Sequence, residues 1–401
     1  MNYYLPLKIM QLLEKNKIGF VLPWYGQNIP GGAEAEALGL IDNLKSHFDV
    51  EVLTTCVKDF FSDWNENFWK EGTYFENGVK IMRLKVDKKD RFDFHNVNRL
   101  LMNGKRPDLD EEKIYMRGQV SSRGLNSFIK TNVLNYKYFF SMPYMFGTTV
   151  DLSLIAPEKT VLIPCLHNEA YARMEVYKTM FSSVFRVFFH MNSEKRLAES
   201  LYGNNDSFRI IGEALDLNVS GNKERFFLKY GVRDFFVYVG RKDEGKNVPL
   251  LVHWFSKYRD LSGKDVKLLL IGPGELNLPL PSGIVDLGFI TRQDKFDAIF
   301  ASLGLINLSL NESFSLVLME AGLLKRPVIV HENSEVLMEH VHKGNMGLFA
   351  SDFFEFFEVL NYIWENKEFS SRLGLNGYNY VLNNFSKERV LKNILSNLGG
   401  K

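Results

Sequence analysis

The feature that most constrains this chain is an alternation repeated over most of its length: short runs of β-branched, aromatic and aliphatic residues, each followed by helical spacing. Parallel strands need a crossover to return to the same edge, so this alternation predicts parallel sheets with helices on both faces. One series runs through "KIGFVLPW", "DVEVLTT", "VKIMRLKV", "YKYFFSM", "KTVLIPCLH" and "SVFRVFFHM", and closes at "FRIIGEALD". A second starts afresh with "DFFVYVG", "VKLLLIGPG", "GIVDLGF", "LGLINLSL" and "RPVIVHE". Two doubly wound α/β sheets in tandem follow, with a boundary near Ile211 to Asp216. The spans expected are 1–213, 214–385 and a terminal helix over 386–401, where "SKERVLKNILSNL" carries a Ser at the N-cap position. A length of 401 residues is too great for one ordinary core and suits two. Residues 86–125 are dense in charge without a clear strand, and read as a helical or loop insertion in the first domain.

Composition narrows the function. Hydrophobic residues at 45% and charged residues at 24% are globular values. Lys+Arg number 49 against 48 Asp+Glu, so the basic excess of a general nucleic-acid binder is missing and no nucleic-acid partner is expected. The two cysteines, Cys56 and Cys165, stand far apart with no metal-ligand spacing, which argues against a disulfide scaffold or zinc site and for reducing cytosol. The first residues lack a continuous apolar core and a small-residue cleavage site, and no apolar run reaches membrane-span length. The expectation is a cytoplasmic protein, with peripheral attachment to the inner membrane face left open. The 33 phenylalanines are read chiefly as core.

Ligands of doubly wound sheets bind where strands hand over to helices. Gly31 and Gly32 in "YGQNIPGGAEAEALGL" follow the first strand, and serve either as a turn pair or as a close approach to an anion. The G-x-G-x-x-G of dinucleotide enzymes is absent there. In "VGRKDEGKN", Arg241 and Lys246 behind Gly240 are either a solvated turn or two cations for phosphate oxygens. Gly272 in "LLLIGPGE" and Phe289-Ile290 after "VDLG" mark the next two strand ends. His167 closes "LIPCLH", and is either structural or a site residue. Finally "NESFSLVLMEAGLLKRP" places Glu312 eight residues before Glu320. A helix starting near Ser313, capped by Ser313 or Ser315, would offer its free N–H groups from Ser313 through Phe314 and Ser315 to Leu316, with Glu320 about two turns in. Asp108 and Asp110 in "DLD" follow Lys-Arg-Pro within the charged insertion, and read as solvated loop rather than metal ligands.

Taken in order, Gly31-Gly32, His167, Arg241 with Lys246, and Glu312-x7-Glu320 before "KRPVIV" resemble the family-4 type of retaining glycosyltransferases, with the GT-B fold: two Rossmann-like domains facing across a cleft. The resemblance implies that Glu312 contacts donor-sugar hydroxyls, Glu320 the ribose hydroxyls, Arg241 and Lys246 the diphosphate, the Gly-Gly loop the diphosphate from the first domain, and His167 the sugar. His167, Arg241, Lys246 and Glu312 are the catalytic candidates. Gly240, Gly272, Phe289, Ile290 and the Ser313–Leu316 segment complete the donor set. The implied activity is transfer from a nucleoside-diphosphate sugar to a hydroxyl of a glycan, lipid-linked saccharide or small molecule, without metal or other cofactor, in polysaccharide or glycoconjugate synthesis. A nucleotide-sugar epimerase and a silent nucleotide-sugar or glycan-binding scaffold are the alternatives. The family's usual E-G-F-G is E-S-F-S here, and its Gly-Gly-x-x-Glu is "VHENSEVL".

Overall fold

The computed structural model describes residues 16–27, 29, 31–276 and 279–399. The leader-peptide reading falls mainly on residues 1–15, outside the described residues. The chain divides into two compact units: residues 1–190, 194–211 and 393–401, and residues 191–193 with 212–392.

The first unit carries an eight-stranded sheet: β1 (Lys17–Leu22), β2 (Asp49–Thr55), β3 (Gly72–Glu76), β4 (Val79–Leu84), β5 (Tyr138–Ser141), β6 (Thr160–Leu162), β7 (Arg186–Phe189) and β8 (Phe208–Ile210). Their spatial order is β3-β4-β2-β1-β5-β6-β7-β8, parallel except that β3 runs against β4. The sequence pattern misses β3 because its side chains are largely exposed and its run is not apolar. The hairpin is nevertheless signalled by Asn77-Gly78, whose φ angles of 51° and 78° are those a tight two-residue turn needs. The charged insertion is helical: Phe92–Met102, Leu109–Gly118 and Arg123–Asn132. Asp108 caps the second of these helices, accepting from the N–H groups of Asp110 and Glu111, while the Glu111 carboxylate returns to the Asp108 N–H. Asp110 pairs with Lys113. This D-x-D is a capping box on an exposed helix.

The second unit carries a parallel six-stranded sheet of β9 (Phe235–Val239), β10 (Lys267–Ile271), β11 (Ile284–Gly288), β12 (Leu305–Asn307), β13 (Val328–His331) and β14 (Gly347–Ala350), in the order β11-β10-β9-β12-β13-β14. Its inner strands β9, β10, β12 and β13 are buried on both faces, which is why they read as unbroken apolar runs. Phe235, Val237, Leu269, Ile271, Val328 and Val330 enter the core on one face. Phe236, Tyr238, Leu268, Leu270, Ile306 and Ile329 enter the core on the other. The four-residue β14 is too short to stand out in sequence. The terminal helix Lys387–Leu398 is capped by Ser386, whose Oγ accepts from the Arg389 N–H. Its last residues belong to the first unit, where Tyr138 donates to the Leu398 carbonyl.

No helix among the described residues is long and apolar enough to cross a membrane.

Candidate active site

In the second unit the candidate residues gather beyond the C-terminal ends of the strands. Glycine makes this packing possible. A Cβ on Gly272, where φ is 134°, would lie 2.0 Å from the Gly240 carbonyl oxygen. The Gly240 N–H reaches the Ile271 carbonyl, and the Gly272 N–H reaches that of Gly288, so the ends of β9, β10 and β11 are laced together backbone to backbone. Lys242, buried, adds a side-chain tie, with Nζ 2.6 Å from both carboxylate oxygens of Asp286 on β11.

On that base stands the loop after β9. Arg241 is about half exposed, with Nη1 3.2 Å from Asp243, and its carbonyl accepts from the Tyr238 hydroxyl. Asp243 also caps the short turn Glu244–Lys246. Lys246 reaches across to the loop after β12: its Nζ lies 2.9 Å from Glu312 Oε1 and 3.3 Å from the Asn311 carbonyl. Two residues chosen from sequence 66 positions apart are thus one ion pair. Asn307, the last residue of β12, donates weakly to Glu312 and to Ser315 Oγ.

The helix after this loop starts later than its sequence suggests. It spans Leu316–Leu323, so Ser313 lies in the loop, and Ser315 occupies the N-cap without a side-chain capping bond. Glu320 is therefore one turn in rather than two. Ser315 itself has φ 71°, a left-handed conformation that favours glycine and that a serine adopts at a cost of about 1–2 kcal/mol. The serine stands where the resembling family carries glycine, and the backbone keeps a glycine-like conformation. Phe314 points into the core, so only its backbone faces the loop side. Its carbonyl accepts from Nε2 of fully buried His340, whose Nδ1 lies 3.0 Å from the Tyr380 hydroxyl. Burial pushes the His340 pKa down to about 4, which keeps the ring neutral, and the Phe314 carbonyl, which can only accept, places the proton on Nε2. Glu320 meets Lys295 Nζ at 2.5 Å. Phe289, 78% exposed, and Ile290, packed against the core, follow β11. Sequence reasoning missed Asn307, Lys295, Lys242 and His340; of these only Asn307, a polar residue ending an apolar strand, carried a visible signal.

In the first unit, Gly31 (φ 150°) precedes the helix Gly32–Leu44, whose N-terminus has no side-chain cap. The Glu34 carboxylate crowds the space a Gly31 Cβ would take, and accepts from Trp24 Nε1 at 2.8 Å. His167 lies in the loop beyond the three-residue β6 rather than on the strand, with Nδ1 3.9 Å from Glu169. Behind it is a buried charge network. His190 Nε2 is 2.6 Å from Glu36 and Nδ1 3.3 Å from Glu194, while Glu194 also accepts from the N–H groups of Leu166 and His190. Cys165 Sγ sits 3.7 Å from Glu36, so, against the sequence expectation, this cysteine does have metal-ligand residue types for neighbours. Burial opposes the charged form of His190, but the two carboxylates outweigh it and hold the pKa well above the ordinary 6.5.

Residues 233–366 match the family described as glycosyl transferases group 1. No curated protein matches the chain in sequence. Among solved structures, the chain is similar to Alr3699/HepE of Anabaena in complex with UDP and glucose, at 17% identity and TM-score 0.68, covering 96% of this chain and 99% of that one. It is similar to sucrose-phosphate synthase (tll1590) of Thermosynechococcus elongatus, at 14% identity and TM-score 0.72, covering 95% and 98%. WaaG, a glycosyltransferase involved in lipopolysaccharide biosynthesis, matches at 12% identity and TM-score 0.67, covering 96% and 100%. At these identities the likeness establishes the fold, GT-B, over nearly the whole chain.

Proposed function

We propose, on the premise of a GT-B fold whose second unit carries a group 1 glycosyltransferase segment, that the chain moves a sugar from a nucleoside-diphosphate sugar to a hydroxyl acceptor with retention of anomeric configuration. The observation that carries this is the Lys246–Glu312 pair, held beside Arg241 at the open N-terminus of the helix Leu316–Leu323. A diphosphate entering there draws Lys246 away from Glu312 and meets Arg241 and the first helical amides, while the released carboxylate turns to sugar hydroxyls. Glu320, one oxygen of which Lys295 occupies, offers the other to ribose. Phe289, exposed beyond β11, offers a face to the base, with Ile290 beneath. Gly240 and Gly272 keep the floor low.

In the first unit, Gly31, Gly32 and His167 take the roles the sequence resemblance implies, toward diphosphate and sugar. The acceptor is a glycan or lipid-linked hydroxyl, and the setting cytoplasmic polysaccharide or glycoconjugate synthesis. The departing phosphate assists deprotonation of the acceptor on the same face. The protein's contribution is placement and stabilisation of the diphosphate charge.

Fixed protein charges supply what a metal would otherwise supply, so transfer persists in excess EDTA. Lys246→Ala lowers turnover at saturating donor about 10²-fold, the usual effect of one preorganised charge contact. UDP, bound by the Anabaena structure, is the first nucleotide to assay. Anomer analysis of the product by NMR tests retention. Full loss of activity in EDTA, restored by Mn²⁺, overturns the metal-free reading, and an inverted product overturns retention.

A further inference from the structure

At the end of the second unit's sheet opposite Arg241 and Glu312, a cavity of about 240 Å³ opens where β9 begins at Phe235 and where Pro327 leads into β13. Its lining is strongly cationic: Lys223, Arg233, Arg326 and Lys367 against a single carboxylate, that of Asp234. Two further basic residues of the Lys223–Tyr230 helix are neutralised, Arg225 by Asp297 and Lys229 by Asp294. The four that line the cavity have no carboxylate at ion-pair distance among the described residues.

Exposed, unpaired lysines are ordinary, but Arg326 is not. It is half-buried, its Nε donates to the Phe300 carbonyl at 2.6 Å, and its guanidinium stacks on the Phe300 ring at 4.9 Å. Those contacts fix the plane and leave the two terminal amino groups without an acceptor among the described residues. Burial alone pushes its pKa below the usual value, as it does for a desolvated cation without a counter-charge. Arg233 is likewise held flat, 3.7 Å above the Phe227 ring. The 18-residue helix Lys367–Asn384 begins at the cavity with no side-chain cap on its first N–H groups. Fixed guanidinium forks, ammonium groups and an uncapped helix start together make the donor set that phosphate oxygens require.

We propose that this cavity is a second anion site, separate from the donor-sugar site, which takes a small phosphate-bearing molecule. The volume admits a phosphate group with a compact organic moiety, and the apolar part of the wall, with Phe227 and Ile363, suits an ester better than a naked ion. The proposal does not depend on the glycosyltransferase reading.

The test is calorimetric titration of the full chain with inorganic phosphate and with a hexose monophosphate. Both are run with saturating UDP, and again on Lys246→Ala, so that phosphate held at the donor site is recognised in either case. Binding in both backgrounds is expected, weakened about tenfold or more by Lys367→Glu and by Arg233→Glu, whose exposed side chains do not build the core. Arg326→Met should abolish it. Tighter binding of the hexose phosphate assigns an ester as ligand, and equal binding assigns the free ion. Absence of heat at millimolar ligand overturns the site. So does affinity untouched by Lys367→Glu and Arg233→Glu, or affinity lost in Lys246→Ala alone.

Discussion

The Lys246–Glu312 pair makes the two glutamates of the proposed donor site behave differently. Glu312 restrains Lys246, the cation proposed for the diphosphate, so Glu312→Ala removes the proposed sugar contact yet releases Lys246. The expected outcome is a fall in turnover with nucleoside-diphosphate affinity held or slightly raised. Glu320 has no such competing role toward phosphate; its partner is Lys295 on the helix Arg292–Ala301. Glu320→Ala should weaken UDP binding by about 1.5–3 kcal/mol, the range for hydrogen bonds to a charged group. Titration of both variants with UDP decides this: a larger affinity loss in Glu312→Ala than in Glu320→Ala would reverse the roles.

Elements, rather than single residues, set the floor of that site, because three strand ends meet backbone to backbone at Gly240, Gly272 and Gly288. Gly272→Ala should fold poorly. The new methyl would lie 2.0 Å from the Gly240 carbonyl at a φ of 134°, and backbone cannot swing aside as a flexible side chain can. Strain and overpacking of this kind cost about 2–6 kcal/mol together, measurable as a lower denaturation midpoint and weaker UDP binding. A variant as stable as the parent would show that the strand ends can spread. Much at this scale was legible in sequence. The apolar runs announced both sheets because strands such as β1, β9 and β10, buried along nearly their whole length, read as unbroken apolar segments. The Glu312-x7-Glu320 segment stood out as acids in an apolar run. What stayed hidden has a common cause. The strand β3 is exposed, so burial did not write its pattern. Ser315 turns left-handed, delaying the helix start by a step that local capping preference does not foresee. Lys295, Lys242 and His340 reach the site only through packing, and nothing near them in sequence marks the partner each will meet.

At the scale of the whole molecule, buried histidines bound stability from opposite sides of neutrality, His190 in the first unit and His340 in the second, where buried His331, its pKa also lowered by desolvation, acts in the same direction as His340. His340 is neutral when folded, with its pKa lowered to about 4 by burial, against 6.5 when unfolded. Between those values the unfolded chain binds more protons, so stability is present above 6.5 and lost as pH falls through about 4. The slope is at most about 1.4 kcal/mol per pH unit and the total about 3 kcal/mol. His190 has the reverse sign. Its folded pKa is raised by Glu36 and Glu194 in spite of burial, so the folded chain holds the extra proton, and the contribution is complete below 6.5 and lost as pH rises through the folded value. Glu339 adds to the acid side only at lower pH, since bonds from Lys343, Ser193 and Asn192 overcome burial and hold it at about 2. Denaturation midpoints of the full chain from pH 4 to 10 should therefore peak near neutrality. In His340→Gln, whose amide can still donate to the Phe314 carbonyl, the acid limb should flatten while the alkaline limb persists. In His190→Gln the whole curve should drop, because two buried carboxylates lose their cation, and its alkaline limb should flatten. An acid limb as steep in His340→Gln as in the parent would show that carboxylates, not this histidine, govern the acid edge.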